Sequence, residues 1–156
     1  MRRFVRAKQP RDSQRARVYR AETQAFGAAR ANAGTCASIA VVRDYLHGVL
    51  ADDWFRTEYG DFAYVKIKDG RGTRHAYSAY EAKARGVVFS FPRWARTKPV
   101  MLHELSHAAS LRRYGAVAAH GPEFAATYLR LVSRHLGSAA HEKLREAFVV
   151  HRVSFE

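Results

Sequence analysis

Two histidines four residues apart with a glutamate beside the first, His103-Glu104-Leu105-Ser106-His107, constrain this chain more than any other feature. On an α-helix, positions four apart lie one turn apart on the same face, so His103 and His107 can offer two imidazole nitrogens to one metal ion. Glu104 is rotated about 100° from His103. That puts its carboxylate beside the metal rather than on it, where it can take a proton from an activated water as a general base. Leu102, Leu105 and Ala109 form an apolar stripe next to the histidines, so the helix can bury one side and present the ligands on another.

A catalytic zinc takes three protein ligands and keeps one position open. Thirteen residues after His107 comes His120-Gly121-Pro122-Glu123-Phe124. His120 is the preferred third ligand, fixed at the entrance of a helix that Pro122 starts and that sets Phe124, Tyr128, Leu131 and Val132 on one face. Glu123 is the alternative ligand. Otherwise it steadies the first turn of that helix or supports a ligand from behind. Ser110 and Arg113 stand where a metzincin needs Gly and His, which excludes that pattern.

At 156 residues and 47% hydrophobic, the chain can build one substantial core. Hydrophobic periodicity predicts a helix over 11–31, with Val18, Ala21, Ala25, Phe26 and Ala29 on one face and Asn32-Ala33-Gly34 as its stop. A second helix is expected from Cys36 to Tyr59, with Cys36 as a small buried residue. Phe62–Lys68 alternates as a strand, Asp69-Gly70-Arg71-Gly72 turns the chain, and Arg74–Tyr80 returns as its partner. Val87–Phe91 is a third strand. After Pro99 follow the motif helix, a helix from Pro122 to about His135, and a last helix to about Ala147 with Ser138 as its N-cap. The expected fold is α+β: a zincin-like single domain over 10–156, with helices packed on a small three-stranded sheet.

Charge is the second informative feature: 27 Lys and Arg against 14 Asp and Glu leave a net +13. Residues 1–20 hold eight basic side chains and one acid, Asp12. Residues 1–9 read as a basic flexible arm in which Arg2, Arg3, Arg6 and Lys8 can lie along phosphates without reading bases. A solvated tail is the competing interpretation, and an organellar transit peptide a third. One cysteine precludes an internal disulfide, and no run of apolar residues is long enough to span a membrane. The expected compartment is a reducing cytoplasm, with association to the nucleoid if the arm holds nucleic acid.

The two histidine motifs together resemble the SprT-like metallopeptidases, the group that includes the Spartan protease acting on DNA-crosslinked proteins. Gly86-Val87-Val88-Phe89-Ser90-Phe91, leading into the active-site helix, is similar to theirs. The stretch Arg11-Asp12-Ser13-Gln14-Arg15 to Val18-Tyr19-x-Ala21-Glu22 resembles the start of small actinobacterial and actinophage metallohydrolases. The resemblance implies a peptidase with one Zn2+ per chain, and the lone cysteine rules out the zinc ribbon that many SprT-like proteins carry.

These observations predict a zinc hydrolase, a metalloprotease with Glu104 as base, acting on polypeptide, with no membrane partner and with nucleic acid as a second partner through the basic arm. Val87–Phe91 is the candidate edge strand for an extended peptide, with an interior position as the other reading. Tyr114, Arg112, Arg113 and Tyr128 are the nearby groups that could stabilise an oxyanion. His47, His75 and His151 lack partner spacing, and His135 and His141 flank the last helix boundary, where a cation at a helix end or solvation explains them, so all five stay outside the site. The alternative function is a basic nucleic-acid-binding module with a structural or vestigial metal site, which has no use for Glu104.

Overall fold

The computed structural model describes residues 10–32 and 38–156, with the side chains of 28–32 excepted. The basic arm (Arg2, Arg3, Arg6, Lys8), Cys36 and the expected stop at Ala33-Gly34 lie outside the described residues. Helix α1 (Arg15–Asn32) is followed by α2 (Ile39–Ala51), α3 (Asp53–Tyr59), strands β1 (Tyr64–Asp69), β2 (Tyr77–Glu81) and β3 (Gly86–Phe91), then helices α4 (Lys98–Tyr114), α5 (Pro122–Leu136) and α6 (Ser138–Val150). The α+β class and the three-stranded sheet are as the sequence predicts. No described helix is long and apolar enough to cross a membrane.

The expected helix from Cys36 to Tyr59 is two helices. Asp52 adopts an extended backbone, and its carboxylate accepts a hydrogen bond from Trp54 N at 3.1 Å, capping α3. The apolar period runs straight through this break, which is why periodicity alone misses it. At the other end of the chain, Ser138 is the first residue of α6 rather than its cap: Gly137, at φ 93°, precedes it and no side chain caps the helix, which runs on to Val150.

The sheet order is β1-β3-β2, with β1 parallel and β2 antiparallel to β3. The predicted hairpin between the first two strands does not form, and Val87–Phe91 is the central strand, not an edge. Burial explains both corrections. Val87, Phe89 and Phe91 are fully buried and Ser90 nearly so, whereas β1 and β2 alternate with exposed residues. A strand apolar on both faces belongs in the middle, and the alternating ones belong at the edges. Tyr64, Gly86 and Glu81 share one register row. A Cβ on Gly86 would lie 2.0 Å from the Tyr64 ring, so glycine lets the tyrosine cross β3 and donate its hydroxyl to Glu81 at 3.0 Å.

Helix α4 runs through the centre of the fold. Thr97 caps it by accepting from Val100 N, Pro99 occupies its first turn, and Leu102, Leu105, Ala108 and Ala109 are completely buried. It packs against α5, whose Phe124, Tyr128, Leu131 and Val132 are all buried, as the helical spacing predicts. Helix α1 packs mainly on α6 and reaches α4 through side chains: Val18 and Ala21 are fully buried and Phe26 nearly so, and Ala25 packs against the core. The start of α1 is pinned by the C-terminal residues. Gln14 donates to Ser154 O at 2.9 Å and accepts from Ser154 N at 3.0 Å, while Arg17 donates to Arg152 O at 2.8 Å.

Candidate metal centre

His103, His107 and His120 converge, each with one ring nitrogen within 4.8 Å of the other two. The first two come from successive turns of α4, and the third from the turn that leads into α5. Gly121 closes that turn, its N–H donating to Ala118 O at 3.1 Å. A Cβ on Gly121 would press within 3.1 Å of the Ala118 side chain, so glycine permits the tight approach that aims His120 at α4. Phe124 forms the floor. Its ring centroid lies 4.5 Å from His107, 4.9 Å from His103 and 5.0 Å from His120.

The outer partners of the histidines fix which nitrogens face inward. His103 Nδ1 meets Glu22 Oε1 at 2.7 Å, and His120 Nδ1 meets Asp12 Oδ2 at 2.8 Å. A carboxylate on Nδ1 holds the proton there and leaves Nε2 with its lone pair turned to the centre, the arrangement that supports histidine ligands in metal sites. His107 is held by the backbone of Ala119. Its Nε2 lies 3.1 Å from His103 Nε2. Two ligands on a tetrahedral zinc at about 2.05 Å stand about 3.3 Å apart, so this spacing suits the ion. His120 Nε2 is buried with no hydrogen-bond partner. A buried nitrogen left without a partner costs free energy, and a metal ion would satisfy it. Burial, with each neighbouring histidine adding to it, lowers the His107 pKa well below the ordinary value, and burial lowers that of His120 despite the Asp12 bond. Neutral imidazole is the form that binds metal.

Glu104 stands beside the three histidines, 8% exposed, at the wall of a cavity of about 300 Å³ that His107 and His120 also line. Burial raises its carboxyl pKa, and His103 and hydrogen bonds from Ser78 on β2 pull against that rise. Glu123, the alternative ligand, lies in the first turn of α5 and is not one of the three converging groups.

None of the four expected oxyanion groups faces this centre with a free donor. Tyr128 is buried and donates to Pro99 O at 3.0 Å. Arg113 pairs with Glu58, Tyr114 is exposed at the end of α4, and Arg112 lies against Gly60. Of the histidines set aside, His135 lies 3.8 Å from Asp52, His141 contacts Glu142 and His151 contacts Gln24. His75 lines a second cavity beside His103 and Glu104.

Sequence reasoning missed what α1 contributes. Asp12, Arg15, Tyr19 and Glu22 recur at intervals of three and four, which brings them along one side of the helix and its lead-in. Tyr19 stacks on His103, with ring centroids 5.7 Å apart and planes within 9°. The signal was present as an acid-Arg-Tyr-acid stripe, but it carries no meaning until the fold lays α1 over α4. No family model matches the chain, and no curated protein or solved structure matches it either.

Proposed function

We propose that this protein is a zinc-dependent hydrolase, a metalloprotease of the zincin, SprT-like kind that cleaves peptide bonds with Glu104 as general base. The observation that carries the reading is the convergence of three histidine nitrogens, two of them oriented by carboxylates, next to a buried glutamate that lines a cavity. His103, His107 and His120 would hold the zinc. The ion would supply Lewis acidity, polarising the scissile carbonyl and bringing the pKa of water towards about 7. Glu104 would take the proton of the attacking water and deliver it to the leaving amine. Ser78 on β2 lines the same cavity as Glu104.

The edge strand that serves a peptide is β2 rather than Val87–Phe91. Ala76, Tyr77 and Ser78 line the cavity together with Glu104, so an extended chain laid along β2 would pass the base. A polypeptide substrate is therefore favoured over a small molecule. Arg11 and Arg20 are exposed and continue the basic character of residues 1–9 onto the folded surface, which supports substrates associated with nucleic acid. A binding module with a structural metal gains nothing from burying Glu104 beside the ligands, because burying a carboxylate is costly unless it is used.

The test is Glu104→Gln in the zinc-loaded protein. Zinc content should stay at the wild-type level while turnover of protein substrates falls by about two orders of magnitude or more. Equal turnover in both proteins contradicts the mechanism. A zinc-loaded wild type that cleaves no protein substrate, with or without DNA, replaces this reading with the binding module.

A further inference from the structure

The cavity beside Glu104 has a neighbour. A second cavity of about 220 Å³ is lined by Glu22, His103 and Trp94 among others, and four residues border both: Arg15, Tyr19, Ala76 and Glu104. These four form a neck between the two. Arg15 and Tyr19 enter it from α1, Ala76 from the segment before β2, and Glu104 from α4. A chain passing from one cavity to the other crosses this neck.

Arg15 stands out among the arginines. It is the arginine that borders both cavities, and unlike Arg56, Arg96, Arg113, Arg130 and Arg134, which each hold a carboxylate, it has no carboxylate partner among the described residues. Its guanidinium carbon lies 5.7 Å from the centroid of the Tyr19 ring, and that ring is 5.7 Å from His103 and 5.3 Å from His120. An aromatic ring packed on the histidine cluster thus gives the cation a platform. We propose that Arg15, positioned by Tyr19, is the catalytic group that stabilises the negative oxygen of the tetrahedral species formed at the neck. This deepens the hydrolase reading and rests on it. Base and oxyanion donor then approach the reacting carbonyl from different elements, α4 and α1. A guanidinium suits the role because its fork of N–H donors can follow an oxygen whose charge grows during reaction.

Inorganic phosphate, a small tetrahedral oxyanion, tests this without turnover. In full-length protein loaded with Co2+, the visible absorption of the metal reports phosphate binding. Wild type should respond, and Arg15→Ala should bind phosphate about 10- to 100-fold more weakly, the scale of one charge-assisted hydrogen bond. Arg15→Lys should fall between them. Tyr19→Phe, which keeps the ring, should stay near wild type, whereas Tyr19→Ala should resemble Arg15→Ala. Phosphate affinity within twofold of wild type in Arg15→Ala, or no response by cobalt-loaded wild type, overturns the inference. Failure of the wild type to take up cobalt or zinc is a different outcome, which sinks the metal reading and this inference with it.

Discussion

Glu22 and Glu58 are both carboxylates bound by side chains from distant helices, yet their surroundings give them opposite roles. Glu22 is 3% exposed, bonded to a single histidine through Oε1, and its Oε2 is buried with no partner. Glu58 sits at the surface and receives both Arg113 and Arg130, the latter at 2.6 Å. Those two bonds hold its carboxyl below the ordinary carboxylate range. Glu58 ties α3 to α4 and α5 in a way any soluble protein uses. Glu22 is placed where a lone acid is expensive, and orienting a histidine of the proposed zinc site is a reason to keep it there.

The largest expected effect separates the two directly. Glu22→Gln should weaken zinc binding by about 10- to 100-fold, as loss of a partner behind a histidine ligand does, while Glu58→Gln leaves zinc affinity within twofold of wild type. Competition with a chelator measures both. Equal losses in the two variants would erase the distinction. Asp12→Asn should act in the same direction as Glu22→Gln but more weakly. Asp12 is 26% exposed at its side chain against 4% for Glu22, so water can replace part of what it does for His120.

The smallest effect concerns acid. Because Glu58 has a lower pKa folded than unfolded, its contribution is fully present above the unfolded value of about 4.3 and is lost as pH falls through the folded one. Asp52, lowered first by its hydrogen bond from Arg134, behaves likewise. Denaturant midpoints of wild type and Glu58→Gln should therefore differ slightly at pH 7 and converge as the pH falls through the lowered folded value. A gap that widens in acid would reverse the sign.

The same contrast shows what the sequence made legible. His103, Glu104 and His107 could be found because helix geometry links residues three and four apart, His120 because it stands at the entrance of the helix that Pro122 starts, and the helical face of α5 because its period is unbroken. Glu22 and Asp12 could not be assigned, since their partners lie 81 and 108 residues away and only packing of α1 across α4 joins them. The strand order failed for a related reason. Turn residues at Asp69–Gly72 suggested a hairpin, but Asp69 binds Arg96 at 2.6 Å and Gly70 N donates to Phe91 O, tying the turn to the far end of β3. The largely apolar run of β3, broken only by Ser90, was the better guide, because burial on both faces requires neighbours on both sides. The break at Asp52 was readable only as a local capping signal, one that the stronger hydrophobic period concealed.

Metal content tests the central claim most directly. The full chain, purified, stripped of metal and titrated with Zn2+, should take up about one ion per chain, and His120→Ala should bind it far more weakly while remaining folded by circular dichroism. Unchanged stoichiometry and affinity in folded His120→Ala would contradict the three-histidine centre.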